Sequence, residues 1–411
     1  MIRILHTADW HLGKKLEKFS RMSEQLSVME EIVKVADEKN VDLILVAGDL
    51  FDNFNPATEA VELLYKTLKK LTNNGKRLVI AIAGNHDSPD RIEAPDPLAK
   101  ECGIIFIGYP YSQVAPFKLE SGIAITKSEP GFLEVLFPDI AHPIRLLVTP
   151  YANEYRLKTY LGLENTDESL REVLEQHWGK LAETYCDNEG VNMLMTHLFV
   201  MKKGTVPPEE PEDEKPILHV GGAQAVFSEN IPSQMQYVAL GHLHRFQRID
   251  NEPCPIVYSS SPLAYSFSEA EQKKYLVYIE AETNKPINYQ KIELQSGRTL
   301  YRKRFEDIQE AVNWLVDHPN ALVELTLISD DFLKAEERRL LYQSHDGIIT
   351  LIPEIRKKAS ANEVENESGI DLSLQMDDLF VAYFKSRNNG QAPNEDLMNL
   401  FKEIKAEQIN E

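Results

Sequence analysis

Five strand-like apolar runs in the sequence are each followed by side chains that can bind a metal ion or move a proton. Glycine stands next to several of these side chains, and glycine lets the backbone turn sharply and approach a ligand closely. The side chains are Asp9, His11, Asp49, Asp52, Asn85, His86, His197, His242 and His244. In open α/β sheets, ligands bind beyond the carboxyl ends of the strands. The order of these residues along the chain therefore favours one site built from several strand ends.

The donor types in this set are imidazole, carboxylate and one amide oxygen, with no thiolate. Such a set suits manganese, iron or zinc, and it can hold two ions together. Two ions about 3.5–4 Å apart can bind the oxygens of a phosphate ester. Asp49, flanked by glycine and apolar residues, is the candidate bridging ligand. A carboxylate has two oxygens, and its charge offsets the repulsion between two cations.

Each motif also has a structural explanation when it is taken alone. Asn85 and Asp87 after Gly84 could simply form a turn. His197 could be a hydrogen-bonded histidine of the core, and Asp52 could be a polar group at the start of a helix. These explanations do not account for the ordered set at five strand ends. The other histidines and the cysteines are interpreted as structural: His6, His142, His177, His219, His318, His345, Cys102, Cys186 and Cys254.

Composition limits the class of protein. The chain has 411 residues, 43% of them hydrophobic, which is enough for one large core and an appended domain or two. The net charge of −21 argues against a nucleic-acid binder, unless the contact surface is local or metal ions supply positive charge. No apolar run reaches the roughly 18 residues of a transmembrane helix, and the N-terminal run is too short for a signal peptide. Three widely spaced cysteines fit neither a disulfide framework nor a thiolate zinc site, so a reducing cytoplasm is expected.

The apolar runs alternate with helical segments up to about residue 280, which predicts an α/β domain. The runs are nearly continuous, as in strands that are covered on both faces. They are Ile2–Leu5, Leu43–Ala47, Leu78–Ala83, Ile104–Ile107, Leu146–Val148, Met193–Met195, Tyr237–Leu240 and Ile256–Tyr258. Asn55 is the expected cap, and Pro56 the first residue, of a helix between the second and third runs. Its predicted apolar face comprises Ala57, Val61, Leu64, Leu68 and Leu71.

The pattern changes after residue 280 and predicts three further parts beyond a first domain over residues 1–280. Residues 281–355 are expected to form a small α/β domain. It has predicted strands at 299–305, 321–328 and 347–353 and predicted helices at 306–317 and 330–343. Residues 356–371 are polar and lack periodicity, which indicates a linker, and residues 372–411 form a predicted tail of two short amphipathic helices. Within the first domain, residues 206–216 are acidic and proline-rich, which is typical of a solvated loop.

The ordered set of metal-binding candidates resembles the calcineurin-like metallophosphoesterases. The resemblance implies a four-layer αββα sandwich with a two-metal centre, here with a small α/β capping domain that binds DNA and a C-terminal helical tail. Several segments are similar, more narrowly, to the SbcD family, the nuclease subunits of bacterial SbcCD complexes. These segments are HTADWHLGKKL, VAGDLFDNFNP, IAGNHDSP, YVALGHLHRFQ and YSSSPLAYSFSEA.

The resemblance also implies a role for each candidate residue. One ion would be held by Asp9, His11, Asp49 and His244, and the other by Asp49, Asn85, His197 and His242. His86 would contact the scissile phosphate instead of a metal, and Asp52 would orient its ring. The implied cofactor is a pair of divalent ions, with Mn²⁺ expected and Mg²⁺ as the alternative.

The function implied by the resemblance is metal-dependent exonuclease and endonuclease activity in DNA end processing, repair, recombination and replication. A calcineurin-like phosphatase or phosphodiesterase acting on a smaller substrate remains the alternative. A non-catalytic scaffold is disfavoured because every ligand position is filled. Basic residues after the motifs favour DNA, although such residues are common on any surface loop. They are Lys14, Lys15, Arg91, Lys202, Lys203, Arg245 and Arg248.

The partners implied are an SbcC-type ATPase and a second copy of the chain. The chain has no Gly-x-x-x-x-Gly-Lys-Ser/Thr loop, so it is expected to bind no ATP itself. It is also expected to bind no membrane, because it has no long apolar run. The tail would bind the ATPase, unless its helices fold back onto the chain. Its apolar face comprises Leu379, Phe380, Tyr383 and Phe384, then Leu397, Leu400, Phe401 and Ile404. A homodimer would form through residues 57–71 and 95–99, unless that face packs on its own sheet. The expected location is the cytoplasm, at the nucleoid.

Overall fold

The structure is a computed structural model. It describes residues 1–157, 166–205, 225–330, 333–356 and 376–387, together with Pro393, Leu397, Met398 and Phe401. The chain forms two compact units, Met1–Ile355 and Arg356–Glu411. Within the described part of the chain, no helix is long and apolar enough to cross a membrane.

The first four predicted strands lie in one six-stranded sheet, together with two strands that the sequence did not predict, Tyr275–Ala281 and Asn288–Glu293. Four neighbouring strands are parallel, and two further strands are added antiparallel at one edge. In spatial order the strands are Asn288–Glu293, Tyr275–Ala281, Ile2–Thr7, Leu43–Val46, Leu78–Ile82 and Ile104–Ile107. Parallel strands end at the same edge of a sheet, so the loops after the first three predicted strands meet there.

The remaining four predicted strands of the first domain lie in a second, eight-stranded sheet. In spatial order its strands are Gln247–Asp250, Ile256–Tyr258, Tyr237–Gly241, Val191–His197, Ile144–Thr149, Phe132–Leu136, Ala124–Glu129 and Phe117–Lys118. The strand that ends in His197 is parallel to both of its neighbours. Sequence reasoning missed the antiparallel edge strands, because exposed polar side chains such as Lys127 and Glu129 interrupt the apolar run there.

The two sheets pack face to face because their strands are apolar on both sides. Leu45 belongs to the cluster between the sheets, whereas its neighbour Ile44 packs under the helices Met22–Glu38 and Thr58–Leu71. Successive strand residues point to opposite faces, which explains this alternation. The helix Thr166–Tyr185 covers the outer face of the second sheet. The order helix, sheet, sheet, helix confirms the expected four-layer αββα sandwich.

One helix begins later than the sequence predicts. The predicted start, with Asn55 as the cap and Pro56 as the first residue, is wrong. The helix begins at Thr58, with Ala57 in an extended conformation and no side-chain cap. The Asn55 amide oxygen instead accepts a hydrogen bond from Arg91 at 3.1 Å.

The helices of the described structure are Met22–Glu38, Thr58–Leu71, Pro89–Glu93, Asp96–Glu101, Glu154–Leu157, Thr166–Tyr185, Ile308–Asp317, Ala335–Ser344 and Met376–Arg387, with 3₁₀ turns at Ser228–Asn230 and Phe267–Glu269.

A third sheet forms the predicted small α/β domain. Its strands are Thr299–Phe305, Ala321–Ser329 and Ile348–Ile355, and its helices are Ile308–Asp317 and Ala335–Ser344. Leu300 and Leu322 of this domain pack with Phe267 of the sandwich. The predicted boundary at residue 280 requires correction. The strand Asn288–Glu293 pairs with Tyr275–Ala281 in the first sheet, so the small domain begins after it.

Short strand pairs complete the described structure, and some predicted segments lie outside it. The pairs are Lys15–Leu16 with Phe19–Ser20, and Val200–Met201 with Val226–Phe227. The acidic loop at 206–216, the linker at 356–371 except residue 356, and most of the second tail helix lie outside the described residues.

The second unit contains the helix Met376–Arg387, which matches the first predicted tail helix. The rings of Phe380 and Phe384 lie on one face, with centroids 6.1 Å apart. Phe380 also stacks on Phe401, with centroids 4.1 Å apart. Tyr383 is 50% exposed. Among the described residues of the tail, aromatic rings therefore pack against one another, and Tyr383 beside them is half exposed.

Candidate metal centre

Backbone hydrogen bonds join the loops that follow the first two strands. The amide of Asp9 donates to Gly48 O at 2.9 Å, and the amide of His11 donates to Asp49 O at 2.9 Å. These bonds extend the parallel pairing of the two strands beyond their ends. The side chains of Asp9, His11 and Asp49 therefore project from one rigid framework.

The first predicted donor set comes together at this edge. The Nε2 atoms of His11 and His244 are 3.0 Å apart. A carboxylate oxygen of Asp9 and one ring nitrogen from each of these histidines all lie within 4.8 Å of one another. His11 Nε2 is also 3.5 Å from Asp49 Oδ2. The structure thus brings together the four residues of the first predicted set.

The second predicted donor set lies beside the first. Asn85 Oδ1 is 3.0 Å from His197 Nε2 and 3.1 Å from His242 Nδ1. His197 Nε2 is 3.4 Å from Asp49 Oδ2. His197 extends from the second sheet and Asn85 from the first, so this set spans the two layers.

The Asp49 carboxylate lies between the two sets. Its Oδ2 atom is almost equally distant from His11 Nε2, at 3.5 Å, and His197 Nε2, at 3.4 Å. Its Oδ1 atom accepts a hydrogen bond from the backbone amide of His86 at 2.8 Å. One oxygen is therefore held by the protein, and the other faces both donor sets. This is the geometry that a bridging ligand requires.

Four of the seven predicted ligands have a left-handed backbone conformation, which residues with a side chain rarely adopt. The angle φ is +54° at Asp9, +43° at His11, +49° at Asp49 and +106° at His242. Such conformations cost roughly 1–3 kcal/mol each and persist only where the surrounding structure enforces them. Four of the eleven non-glycine residues with positive φ in the described structure are therefore residues that the sequence assigns to metal binding.

Two of the neighbouring glycines are required by lack of space. A Cβ atom at Gly84 would lie 2.1 Å from Asp49 Oδ1, and a Cβ atom at Gly241 would lie 1.8 Å from Ala47 O. Any other residue would push these loops away from the centre. The close approach gives a physical reason for glycine in the Gly-Asn-His-Asp and Gly-His-x-His motifs.

Burial and charge set the protonation of three histidines. Burial lowers the pKa of His242 to about 3 and holds the pKa of His11 well below its usual value, so both rings are neutral at pH 7. Burial also opposes protonation of His197, but the Asp49 carboxylate outweighs it and raises the pKa of His197 to about 9. A metal ligand must be neutral imidazole, so a cation binding at His197 would release a proton.

The pKa values of the two buried carboxylates are shifted in opposite directions. Burial raises the pKa of Asp9 to about 6, and His197 and His244 offset only part of that effect. Burial disfavours the Asp49 anion as well, but His197 and His86 outweigh it and hold the pKa of Asp49 well below its usual value. Asp49 is therefore ionised at pH 7, as a ligand shared by two cations must be.

The donor set fits divalent cations. Oδ2 of Asp9 is buried and has no hydrogen-bond partner among the described residues. A buried polar atom without a partner is costly, and a bound cation removes that cost. Imidazole nitrogens with carboxylate and amide oxygens are donors that divalent transition metals accept.

Two residues that sequence reasoning did not single out hold the loop after the third strand. The Asp87 carboxylate accepts hydrogen bonds from the amides of Gly84 at 2.8 Å, Leu50 at 3.0 Å and Phe51 at 2.9 Å. Arg156 donates to Gly84 O at 2.7 Å and to Asp87 O at 2.8 Å. Asp87 stood in the motif as a turn residue. Arg156 lies far along the chain, and no sequence signal links it to this loop.

A buried acid and base, also not singled out from the sequence, support His244. Glu269 Oε1 is 3.1 Å from His244 Nδ1, and Glu269 forms an ion pair with Lys274. Burial disfavours the Glu269 anion, but Lys274 and His244 outweigh it and lower the pKa of Glu269. The signal available in the sequence was that Glu269 lies within the segment YSSSPLAYSFSEA.

His86 lies beside the first donor set, but its ring is not held as the resemblance implied. His86 Nδ1 is 2.8 Å from the backbone carbonyl oxygen of Asp52. The Asp52 carboxylate instead lies 3.3 Å from Lys14 Nζ and 4.0 Å from His11 Nδ1. The contact that orients the ring is therefore made by the main chain of Asp52. The side chain of Asp52 faces His11 and Lys14.

The basic residues that follow the motifs differ in their surroundings. Lys14 lies beside Asp52, and Lys202 lies 3.1 Å from Asp250. The Arg91 guanidinium donates to Asn55, as described above. The remaining four residues are exposed: Lys15, Lys203, Arg245 and Arg248. The positive charge of these four residues is offset less by neighbouring carboxylates than that of Lys14 and Lys202.

Residues 2–246 match the calcineurin-like phosphoesterase family, and the matched segment contains every predicted metal ligand. The chain belongs to this family. The family and the grouped donors together make this a site for divalent metal ions.

Two relatives match the chain at nearly full length, and a third matches about two thirds of it. It is 35% identical to the SbcD subunit of nuclease SbcCD from Bacillus subtilis (strain 168), over 98% of this chain and 97% of that protein. It is 28% identical to the protein of the same name from Staphylococcus epidermidis, over 93% and 92% of the two chains. It is 31% identical to the protein of that name from Rhodobacter capsulatus, over 65% of this chain and 64% of that protein. The resemblance identified from the motifs is confirmed.

A solved structure is also similar to this chain. It is a dimetal phosphatase from Danio rerio, with a TM-score of 0.37 and 12% identity over 71% of this chain and 95% of that one. At that score the likeness supports no conclusion about the site.

Asp49→Asn should lose the second bound ion and weaken the first, because it removes the negative charge that both would share. We expect a loss of metal affinity at least as large as the roughly 10–100-fold seen when an outer-shell partner is removed. Bound Mn²⁺ after equilibrium dialysis is the measurement. Asp42→Asn is the matched control, since Asp42 pairs with Arg3 at 2.8 Å, remote from the site. Two ions bound by Asp49→Asn with wild-type affinity would exclude the bridging role.

Proposed function

We propose that this chain is a DNA nuclease that hydrolyses phosphodiester bonds with two divalent ions, acting on DNA ends and within strands. The observation that carries the proposal is the position of Asp49 Oδ2 between His11 and His197. Support for DNA as the substrate comes from relatives named as the SbcD subunit of nuclease SbcCD. The biological setting would be DNA end processing, repair, recombination and replication, in the cytoplasm at the nucleoid.

Mn²⁺ is the proposed metal, with Mg²⁺ as the alternative. The two donor sets contain four imidazole rings, from His11, His197, His242 and His244. Mg²⁺ prefers oxygen ligands and retains water, whereas Mn²⁺ accepts mixed nitrogen and oxygen donors more readily.

The protein holds its donors in position before any substrate arrives. When bound, the two ions supply Lewis-acid stabilisation of the negative charge on the phosphate. The left-handed backbone at Asp9, His11 and Asp49 fixes three donors. The His86 amide holds Asp49 Oδ1 and leaves Oδ2 as the shared donor atom. The ligands therefore need little reorganisation at the moment of reaction.

His86 is the residue proposed to act directly on the phosphate. Because a carbonyl oxygen only accepts hydrogen bonds, His86 Nδ1 must carry the proton that bonds to Asp52 O. In the neutral ring, Nε2 is then an acceptor. In the doubly protonated ring, Nε2–H can stabilise charge on a phosphate oxygen or protonate the leaving oxygen. The half-buried ring lies with its centroid 4.9 Å from that of His11, next to the first donor set.

Exposed cations near the site support a polymeric, negatively charged substrate. Arg245 directly follows the proposed ligand His244, and Arg248 lies three residues further on; both are exposed. Cations that contact a phosphate backbone release counterions and favour binding even by a protein of net charge −21. A phosphatase acting on a small substrate would not need them, and it remains the alternative function.

The tail is the proposed docking segment for an SbcC-type ATPase. Opening or bending duplex DNA costs several kcal/mol, and no phosphate-binding loop occurs in this sequence to supply that work. The helix Met376–Arg387 has Tyr383 half exposed beside the stacked Phe380. A short helix with an exposed aromatic side chain is suited to bind in a groove on another protein.

A homodimer is also proposed, through the outer side of the helix Thr58–Leu71. The predicted face, including Leu64 and Leu68, packs on the chain's own first sheet and is not available. Tyr65 on this helix is 36% exposed, and Leu98 in the adjacent segment is 75% exposed. A monomeric mass by light scattering at micromolar concentration would count against the dimer. If it forms, Leu98→Asp should weaken it.

Purified wild-type chain should cut labelled DNA with Mn²⁺ or Mg²⁺, and His86→Ala should lose about 10²–10⁴-fold in rate while retaining both ions. The rate of product formation and the bound metal are measured on the same preparations. DNA binding by His86→Ala should persist and fall steeply with salt. Hydrolysis of a small phosphate monoester but not DNA would favour the alternative function. Loss of metal from His86→Ala would contradict the proposed role of His86.

Asp52→Ala should slow turnover far less than His86→Ala, because the carbonyl that holds the His86 ring belongs to the main chain. The comparison uses the same DNA assay under saturating metal. A rate loss for Asp52→Ala as large as that for His86→Ala would show that the carboxylate itself, near His11 and Lys14, is required.

Deleting residues after Ala359 should abolish binding of the ATPase and the ATP-dependent cutting of duplex ends. Cleavage of single-stranded DNA should persist, because the first compact unit ends at Ile355. Pull-down of the purified ATPase by the full and shortened chains is the measurement. Tyr383→Asp in the full chain tests the same surface by a single change. Full-strength pull-down by the shortened chain would exclude the tail as the docking site.

A further inference from the structure

The histidines of the two donor sets are supported by different groups. Nδ1 of His244 is 3.1 Å from a carboxylate oxygen of Glu269. Nδ1 of His197 is 2.8 Å from the neutral backbone carbonyl of Ala47. The far ring nitrogen of His244, in the first donor set, therefore faces a carboxylate. The far ring nitrogen of His197, in the second donor set, faces a neutral carbonyl group.

Glu269 is buried, with 4% of its surface exposed, and it is fixed at both oxygens. Its Oε1 atom also accepts a hydrogen bond from the amide of Tyr265 at 3.2 Å. Its Oε2 atom pairs with Lys274. Lys274 in turn donates to His244 O at 2.9 Å and to Ser261 Oγ at 2.9 Å. The carboxylate and the backbone of His244 are therefore held by one network.

This network determines which ring nitrogen of His244 can bind a metal. A carboxylate accepts hydrogen bonds, so Nδ1 carries the proton and the lone pair lies on Nε2. Nε2 is the atom that lies 3.0 Å from His11 Nε2, inside the first donor set. An anionic partner also makes the imidazole a stronger donor than a neutral carbonyl does.

In the described part of the chain, the other three histidines have no carboxylate at hydrogen-bond distance from the far ring nitrogen. Asp52 Oδ1 lies 4.0 Å from His11 Nδ1, and Asp9 Oδ1 lies 3.8 Å from His197 Nδ1. His11 Nδ1 and His242 Nε2 are both buried and have no hydrogen-bond partner among the described residues. Within the described structure, the hydrogen bond of a carboxylate to the far nitrogen of a predicted histidine ligand is therefore found at His244 alone.

We propose that Glu269 is a positioning residue for His244, and that it makes the metal position formed by Asp9, His11, Asp49 and His244 bind cations more tightly than the other. This inference rests on the metal assignment within the proposed function. It does not depend on DNA being the substrate. Glu269 touches no substrate and acts through the orientation and basicity of one ring.

The test is titration of the full-length chain with Mn²⁺ alone, monitored by calorimetry and by electron paramagnetic resonance. The wild-type chain should bind two ions with unequal affinities. In Glu269→Gln the tighter affinity should fall about 10–100-fold, and the weaker one should stay unchanged. At Mn²⁺ concentrations that just fill the tighter wild-type position, Glu269→Gln should bind less Mn²⁺ than the wild-type chain.

Two further variants separate this role from a general loss of stability. Glu134→Gln is the matched control, because Glu134 is also buried and pairs with Arg145, on strands of the second sheet. Its Mn²⁺ titration should match that of the wild type. Glu269→Asp retains the charge one methylene further from the ring, and its affinity should be intermediate. If Glu269→Gln does not fold, Glu269→Asp carries the comparison.

The outcomes are distinct. Unchanged binding by Glu269→Gln, or an equal fall at both positions, would overturn the role of Glu269. Fewer than two ions bound by the wild-type chain would overturn the metal assignment and this inference with it. Absence of DNA cleavage by a chain that binds two ions unequally would overturn only the proposed substrate.

Discussion

The Asp49 carboxylate must lie between side chains that come from two different sheets, and much of the structure serves that requirement. His11 follows a strand of the first sheet, and His197 ends a strand of the second. Packed sheets lie about 10 Å apart, so side chains from both can meet at one oxygen only where the loops bend inward at the strand ends. The apolar cluster between the sheets keeps the two halves in fixed register. The left-handed backbone at Asp9, His11 and Asp49 provides the bend.

Charge imposes the second constraint. Asp9 and Asp49 are both buried, and a carboxylate oxygen of each lies within 4.8 Å of the other, which favours cations. The Asp49 anion is held by the His86 amide and by nearby rings, whereas one oxygen of Asp9 has no hydrogen-bond partner within the described structure. A chain that is strongly acidic overall can still bind an anionic substrate if metal ions and exposed arginines reverse the charge locally. The composition alone, which argues against nucleic acid, therefore does not decide the function.

Much of the fold and of the site is predictable from the sequence. Strands buried on both faces leave continuous apolar runs, and few residue types can bind metal, so the strand ends and their donors stand out. The supporting contacts are not predictable in this way. Arg156 acts on Gly84 from a distant part of the chain, and nothing in its local sequence marks it. Glu269 lies in a segment that the resemblance includes, but nothing in that segment links it to His244. Asp52 shows another limit, because a resemblance transfers side-chain roles and this contact is made by a backbone carbonyl.

The most direct test of the shared carboxylate is a crystal structure of the wild-type chain grown with Mn²⁺, with anomalous scattering measured at the manganese edge. The account predicts two anomalous peaks about 3.5–4 Å apart, with Asp49 Oδ2 between them, as in other two-metal sites. One peak should lie against His11 and His244, and the other against Asn85, His197 and His242. A single peak, or two peaks of which only one contacts Asp49, would contradict it.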